Sequence, residues 1–220
     1  MKRAAYIAFC PPIYRTSNYL CIILFMILGF LASYHMGNAG ITFVASGIPL
    51  VLVFLDYFAF SGTSTRKQKI MCYIKTSFKG KELYKNALIT DLYVKEICIL
   101  SGFFGFVLKE VIVFDAESFR NTLMCILIFL PISELTLRIS LLISRRLSLA
   151  MGLHLAICYL SSMITLILLL VYSFLIPENI SEFALIVIVL FAVLEAVSIL
   201  IAIIVYRDGI KGYESGFYDI

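Results

Sequence analysis

The sequence predicts an all-α integral membrane protein with six transmembrane helices. Of its 220 residues, 62% are hydrophobic and only 15% are charged, and the mean hydropathy is +1.02. A soluble domain is roughly half apolar and a quarter charged, whereas a helix of about 20 apolar residues crosses the hydrocarbon core of a bilayer. The composition therefore excludes a soluble enzyme and a disordered chain.

The six predicted spans are separated by polar or helix-breaking segments, and together they form a single transmembrane domain over residues 1–220. A short turn at 35–40 follows the first span, a polar break lies at 114–118, and Pro177 separates the last two spans. The predicted spans are 19–35, 41–60, 88–108, 121–143, 149–175 and 183–205.

The basic residues predict the orientation of the chain. If the spans alternate in direction, 15 of the 18 lysines and arginines fall on one side, and only Lys109 and Arg120 fall on the other, with Lys95 inside the third span. Cytoplasmic loops carry such an excess, so both termini are predicted to be cytoplasmic. Because these residues lie in short runs beside apolar segments, they indicate orientation, and no nucleic-acid partner is expected.

Three ionisable residues inside the spans are candidates for a functional role. Glu134 and Arg138 are spaced i, i+4 and can pair on one helix face. Glu195 lies in the middle of the sixth span with no basic neighbour at i±3 or i±4. A carboxylate at that depth is either functional or a protonated packing residue.

The remaining polar residues of the spans are expected to be structural. Asp56, Asp91, Lys95 and Glu96 lie nearer the span ends, where they are expected to reach water or headgroups, with Asp91 and Lys95 as a second i, i+4 pair. Small residues are expected at close helix contacts. They are Ser46 and Gly47, Ser101 and Gly105, and Ala192 and Ala196.

No catalytic residue, metal site or cofactor site is predicted in this chain. Its six cysteines occur singly and are accompanied by only two histidines, which is not the spacing of a zinc site. The chain also lacks the G-x-x-x-x-G-K-[ST] loop that holds nucleotide phosphates. Any dependence on ATP therefore requires another chain.

The only long loop, 61–85, contains a predicted amphipathic helix at 68–78. An apolar stripe runs along this helix beside basic residues. The stripe consists of Ile70, Tyr73, Ile74 and Phe78, and Lys69 and Lys75 flank it. Two interpretations remain open: the helix rests on anionic headgroups, or it docks into a groove of a cytoplasmic partner.

The segment Tyr73–Lys85 carries a family resemblance. A coupling helix followed by a basic, glutamate-containing entry into the third span, with Lys79, Lys81 and Glu82 in the matching positions, resembles the membrane subunits of type-2 ABC transporters, the bacterial export permeases. The layout of six spans also matches that family. In place of the acidic run that often precedes the coupling helix, this chain has Ser64–Lys69.

The resemblance implies a multi-pass subunit of the bacterial cytoplasmic membrane. It implies partnership with a second permease subunit, the same or related, and with two copies of a cytoplasmic ATPase that binds ATP and Mg. The residues implied to couple to that ATPase are Ile70, Tyr73, Ile74, Lys75, Phe78, Lys79, Lys81 and Glu82. The many aromatic and aliphatic side chains favour an amphipathic substrate such as a peptide, an antimicrobial or a lipid-like compound.

Two other functions are compatible with the sequence. The first is a proton- or ion-coupled carrier that uses Glu195, together with Glu134. The second is a non-transporting scaffold whose contact surface is the tail Gly209–Ile220. The aromatic residues of that tail are Tyr213, Phe217 and Tyr218, although chain termini of this kind are also commonly frayed.

Overall fold

In a computed structural model of the chain, the described part is helical and contains no strand. It comprises residues 7, 9–10, 12–37, 39–57, 72, 74–113, 116–147, 156, 159–160, 162–164, 166–167 and 183–215. Its five long helices are α1 (Pro12–Met36), α2 (Ala39–Asp56), α3 (Gly80–Val113), α4 (Ala116–Leu147) and α5 (Ala184–Ser215). The predicted all-α class is confirmed.

Four of these helices are long and apolar enough to cross a membrane. They are Pro12–Met36, Ala39–Asp56, Ala116–Arg145 and Ala184–Lys211. The chain is therefore a multi-pass membrane protein. The third predicted span, 88–108, lies within α3. Because α3 carries several charged residues, it is not one of these four helices. Most of the fifth predicted span, 149–175, lies outside the described residues, so the count of six and the side of the termini stay predictions.

The helices extend beyond the predicted spans. The first begins at Pro12, a residue that suits the first turn because its missing N–H is not needed there. The third begins at Gly80, so residues 81–85, expected as a polar entry, are already helical. Lys81, Glu82 and Leu83 are good helix formers, and a glutamate in the first turn favours the helix dipole. Polar residues thus end the apolar stretch without ending the helix.

The predicted break between the first two spans is a tight turn. Gly37 has a φ of 56°, which glycine adopts without steric strain. Its N–H donates to the carbonyl of Ser33 at 3.1 Å, and the N–H of Gly40 donates to the carbonyl of Gly37 at 3.0 Å. These bonds end α1 and begin α2 within three residues.

The core of the bundle surrounds α2. Ile41, Val44, Ile48 and Leu52 have no exposed surface and recur at helical spacing along one face. The first helix packs most extensively on α3, and α5 packs on α4. Large aliphatic residues are exposed along much of α5, as at Leu185, Leu200 and Ile204, which suits a face in contact with lipid.

Glycines allow α1 and α3 to come into close contact. A Cβ on Gly29 would lie 2.0 Å from the carbonyl oxygen of Gly102, and one on Gly105 would lie 2.3 Å from the carbonyl oxygen of Met26. Close packing at Gly105 is confirmed. Among the described residues, a Cβ on Gly47 would meet nothing within 4 Å, so the same prediction is wrong for Gly47 in this part of the bundle.

Ala192 and Ala196 are exposed in the described part of the bundle. Both lie on α5, which packs on α4 through another face. Close contact at these two residues therefore stays a prediction for pairing with a second subunit.

Candidate functional site

A balanced network of four charges lies inside the bundle, at the level of the first half of α3. It consists of Asp56 on α2, Asp91 and Lys95 on α3, and Arg145 on α4. Lys95 Nζ donates to Asp56 Oδ1 at 2.6 Å and also to Asp91. The guanidinium of Arg145 donates to both oxygens of Asp56, at 2.6 and 3.1 Å, and to Asp91 at 3.0 Å. Among the described residues, two carboxylates meet two cations, so these four charges sum to zero.

The balanced network is sealed from solvent. The side chains of Asp56, Asp91 and Lys95 are 0% exposed and that of Arg145 is 7% exposed. The expectation that Asp56, Asp91 and Lys95 reach water or headgroups is therefore wrong, because neighbouring helices extend past them and cover them. The i, i+4 pairing of Asp91 with Lys95 is present.

Tyr14 joins α1 to the balanced network. Its hydroxyl donates to Asp91 Oδ1 at 2.5 Å and accepts from Lys95 Nζ at 3.0 Å. The ammonium of Lys95 also lies 5.7 Å from the centre of the Tyr14 ring, a cation–π distance. Polar contacts consequently tie four helices together at this level.

The end cluster, a second group of buried side chains, lies next to the balanced network. It consists of Phe9, Cys10, Tyr14, Ile74, Tyr84, Ala87, Leu88 and Tyr213. The ring of Tyr84 stacks on Tyr213 with centroids 5.1 Å apart and meets the edge of Phe9 at 5.3 Å. Burial raises the pKa of Tyr84 to about 12, so its hydroxyl stays neutral.

The end cluster brings the N-terminal segment, the end of the long loop and the end of α5 together. Because Tyr213 is buried here, α5 does not fray before Ser215, and Tyr213 is not available as the exposed scaffold surface considered above. Phe217 and Tyr218 lie outside the described residues.

A tight turn connects the long loop to α3. The N–H of Ser77 donates to the carbonyl of Ile74 at 3.1 Å, and the N–H of Gly80 donates to the carbonyl of Ser77 at 3.0 Å. A Cβ on Gly80 would lie 1.7 Å from the carbonyl oxygen of Ile74, so only glycine fits. Phe78 is at the tip of this turn and is fully exposed.

The residues predicted to couple to an ATPase fall in three environments. Ile70 and Tyr73 lie outside the described residues. Ile74 is buried in the end cluster, and Lys75 lies 5.6 Å from the centre of the Tyr213 ring. The exposed set is Phe78, Lys79, Lys81 and Glu82. The described part of the apolar stripe is thus divided: Ile74 anchors the turn, and Phe78 is presented outward.

A surface ion pair links the start of α3 to the end of α5. Lys81 Nζ pairs with Glu214 Oε1, and the two side chains are 53% and 50% exposed. The hydrogen bond and positive charge of Lys81 hold the pKa of Glu214 below its ordinary value. Since water screens this pair, it contributes little to stability.

The acidic cluster, a second set of intramembrane charges, lies between α3, α4 and α5. Arg138 pairs with Glu134 at 3.0 Å, as the i, i+4 spacing predicted. The same guanidinium pairs with Glu96 and donates to the hydroxyl of Ser198 on α5. Ser198 in turn donates to Glu134 Oε2 at 3.4 Å.

Glu195 lies one helical turn from the acidic cluster, three residues before Ser198 on α5. Ser198 contacts both Arg138 and Glu134. The Oε2 of Glu195 is buried and has no hydrogen-bond partner within the described part of the chain. In the acidic cluster, one arginine thus pairs with two carboxylates, those of Glu96 and Glu134.

Tyr14 and the cross-helix role of Arg145 were missed by sequence reasoning. One signal was present for Arg145, because it follows Glu134 and Arg138 at a spacing that keeps all three near one face of α4. Arg138 and Arg145, counted as orientation charges, are buried in ion pairs. The described residues contain no group of His, Cys, Asp and Glu side chains arranged to hold a metal ion.

No protein-family model, curated protein or solved structure matches the chain.

Proposed function

We propose that the chain is the membrane permease subunit of an ATP-driven exporter of the type-2 ABC class. The observation that carries the proposal is the turn at Ile74–Gly80, which presents Phe78 fully exposed while burying Ile74 in the end cluster. Exposed aromatic side chains are typical anchors at protein interfaces. A fully exposed phenylalanine beside Lys79 suits a groove on a partner.

Packed and hydrogen-bonded side chains connect the Ile74–Gly80 turn to the membrane helices. Ile74 packs in the end cluster, and Tyr14 belongs both to that cluster and to the balanced network. A displacement of the turn therefore acts on packed side chains that contact α1, α2, α3 and α4. Coupling between sites travels through chains of packed and hydrogen-bonded groups of this kind.

In this proposal, ATP and Mg bind to two copies of a cytoplasmic ATPase, and a second permease subunit completes the translocation path. Both termini and Phe78 face the cytoplasm, consistent with the end cluster, in which Phe9, Ile74 and Tyr213 meet. Arg138 and Arg145 are in buried ion pairs and are not counted as loop charges. The remaining lysines and arginines predicted on this side still support a cytoplasmic orientation. The substrate is amphipathic, because the helices offer mostly apolar surface.

The first test measures ATP hydrolysis by the intact complex. The tagged chain is purified in gentle detergent with its native partners, and the copurifying proteins are identified by mass spectrometry. We expect a P-loop ATPase whose activity responds to an amphipathic substrate in the wild-type complex and no longer responds in Phe78→Ala. Phe78→Ala is cleaner than Lys75→Glu, since Lys75 also contacts Tyr213 in the end cluster.

Tyr34→Ala is the matched control, because Tyr34 is an exposed aromatic at the opposite end of α1. It should keep the substrate response. A preparation that retains other membrane complexes but contains no P-loop ATPase would contradict the proposal, as would an unchanged response in Phe78→Ala.

A second function, the proton- or ion-coupled carrier, is favoured by one observation. Glu195 has a buried oxygen with no hydrogen-bond partner in the described part of the chain, one turn from Ser198, which donates to Glu134. A carrier of this type predicts that Glu195→Gln abolishes transport driven by a proton gradient in vesicles without an ATPase. An ATP-driven permease predicts no transport in those vesicles, with or without the substitution.

A further inference from the structure

An apolar groove of about 410 Å³ lies between α3 and α4. This volume is within the range of small-molecule sites. Its lining is almost entirely apolar and includes exposed side chains that leave it open along one side. Among the lining residues are Leu100, Phe104 and Val107 of α3, and Ile126 and Leu130 of α4.

Both walls of the groove lead to the acidic cluster at the same end. On α3, Glu96 precedes Leu100 by four residues, and on α4, Glu134 follows Leu130 by four residues. Residues four apart share a helix face. The guanidinium of Arg138 pairs with both carboxylates, so the two walls converge on one polar site.

The polar site has more negative than positive charge. The guanidinium of Arg138 pairs with two carboxylates, those of Glu96 and Glu134, and Glu195, one turn from Ser198 on α5, has a buried oxygen without a hydrogen-bond partner in the described residues. The side chain of Glu96 is 31% exposed, so a ligand can reach the site. A cation would supply the missing positive charge, whereas an anion would be repelled.

We propose that the groove and the acidic cluster form a binding site for a cationic amphiphile. Its apolar chain lies along Leu100, Phe104 and Val107, and its cationic head binds Glu96 and Glu134. Glu96 and Val107 are eleven residues apart, which is roughly 16 Å along a helix. This site deepens the proposed function, on which it rests, by giving the exported substrate a positively charged head.

The test measures binding to the purified full chain in nanodiscs of zwitterionic phosphatidylcholine, without any ATPase, with empty nanodiscs as the blank. The probe is a fluorescent dodecylammonium derivative, and the competitors are dodecyltrimethylammonium, dodecylphosphocholine and dodecyl sulfate. We expect the cation to compete best, the zwitterion to compete less, and the anion to fail. If the anion competes as well as the cation, the proposal is overturned.

Two variants test the two halves of the site. Glu96→Gln removes an accessible carboxylate and should weaken binding by roughly tenfold, the effect of one charge-assisted hydrogen bond. Leu100→Trp fills the groove and should reduce binding of the cationic probe with all carboxylates intact. Because both side chains are partly exposed, both variants are expected to fold, which circular dichroism checks.

Glu117→Gln is the matched control, because Glu117 is an exposed carboxylate at the start of α4. It should bind the probe as the wild type does. Wild-type affinity in both Glu96→Gln and Leu100→Trp would overturn the site. Displacement of the probe by phosphatidylethanolamine at the proportions of a bilayer would overturn the assignment as a substrate site and identify the occupant as lipid.

The binding test and the test for a copurifying ATPase can fail separately. Loss of the site with a P-loop ATPase still copurifying would overturn only the substrate assignment. Specific binding in a chain that copurifies with no ATPase would contradict only the ATP-driven mechanism.

Discussion

The two buried charge clusters differ in balance and in access. In the balanced network, Asp56 and Asp91 meet Lys95 and Arg145, and none of these side chains is more than 7% exposed. In the acidic cluster, a single arginine pairs with two carboxylates, those of Glu96 and Glu134, and Glu96 remains 31% exposed. A neutral, closed network suits a structural tie between helices, whereas an incompletely neutralised, open one suits a ligand.

The largest expected effect comes from breaking the balanced network. Lys95→Met leaves the buried carboxylates of Asp56 and Asp91 with Arg145 as the remaining cation among the four charges. Breaking a buried pair by removing one partner costs about 3–5 kcal/mol. Thermal unfolding in detergent should show a large fall in Tm.

The double variant Asp91→Asn with Lys95→Met restores charge balance between Asp56 and Arg145. It should therefore be more stable than Lys95→Met alone, giving a favourable coupling in a double-mutant cycle. A single variant as stable as the wild type would show that these charges are not buried together.

A second prediction concerns the close contact between α1 and α3 at Gly29. Gly29→Ala places a Cβ 2.0 Å from the carbonyl oxygen of Gly102, and overpacking of this kind costs about 1–3 kcal/mol. Tm is again the measurement. Gly47→Ala is the control: its Cβ meets no described residue within 4 Å, so it should leave Tm unchanged or raise it slightly. Equal effects at both glycines would contradict the helix contact.

Tyr14→Phe tests the hydroxyl that joins α1 to the network. The substitution keeps the ring but removes the hydroxyl, which donates a hydrogen bond to Asp91 and accepts one from Lys95. Leaving buried polar groups without a partner costs about 1–3 kcal/mol. Chemical or thermal unfolding should detect this loss, and a variant with wild-type stability would show that the hydroxyl does not hold the network.

The corresponding change in the acidic cluster should be much smaller. Glu96→Gln removes one of the two carboxylates that pair with Arg138, which keeps its pairing with Glu134. Its stability should stay within about 0.5 kcal/mol of the wild type, as for most partly exposed positions. A loss as large as that of Lys95→Met would remove the distinction between the two clusters.

The smallest effect concerns the exposed pair Lys81 and Glu214. Because the folded pKa of Glu214 is held low, the pair contributes above the ordinary pKa and is lost as the pH falls through the folded pKa. In Lys81→Gln, the pKa of Glu214 should rise toward its ordinary value, as measured by carboxyl NMR titration. An unchanged titration would show that the pair does not form in solution.

Hydropathy and local spacing predicted much of this architecture. Apolar stretches located four helices that can cross a membrane, and i, i+4 spacing identified the pairs Asp91 with Lys95 and Glu134 with Arg138. These features depend on residues close together in the sequence.

The cross-helix contacts were not predictable in the same way. Asp56 meets Lys95 and Arg145 only because α2, α3 and α4 pack at one level, and each residue alone resembles a charge at a span end. Tyr14 lies far from Asp91 in sequence, and no local pattern connects them. The burial of Ile74 beside the exposed Phe78 also depends on the tertiary contact with Tyr213.

The most direct test of the central claim, that the Phe78 turn docks an ATPase, is site-specific photocrosslinking in the native host. A photoreactive amino acid replaces Phe78 in one variant and Tyr34, the exposed aromatic at the other end of α1, in the control. The account predicts a crosslink from position 78, and not from position 34, to a protein whose peptides include a nucleotide-binding P-loop. Crosslinks from position 78 to lipid alone would contradict it.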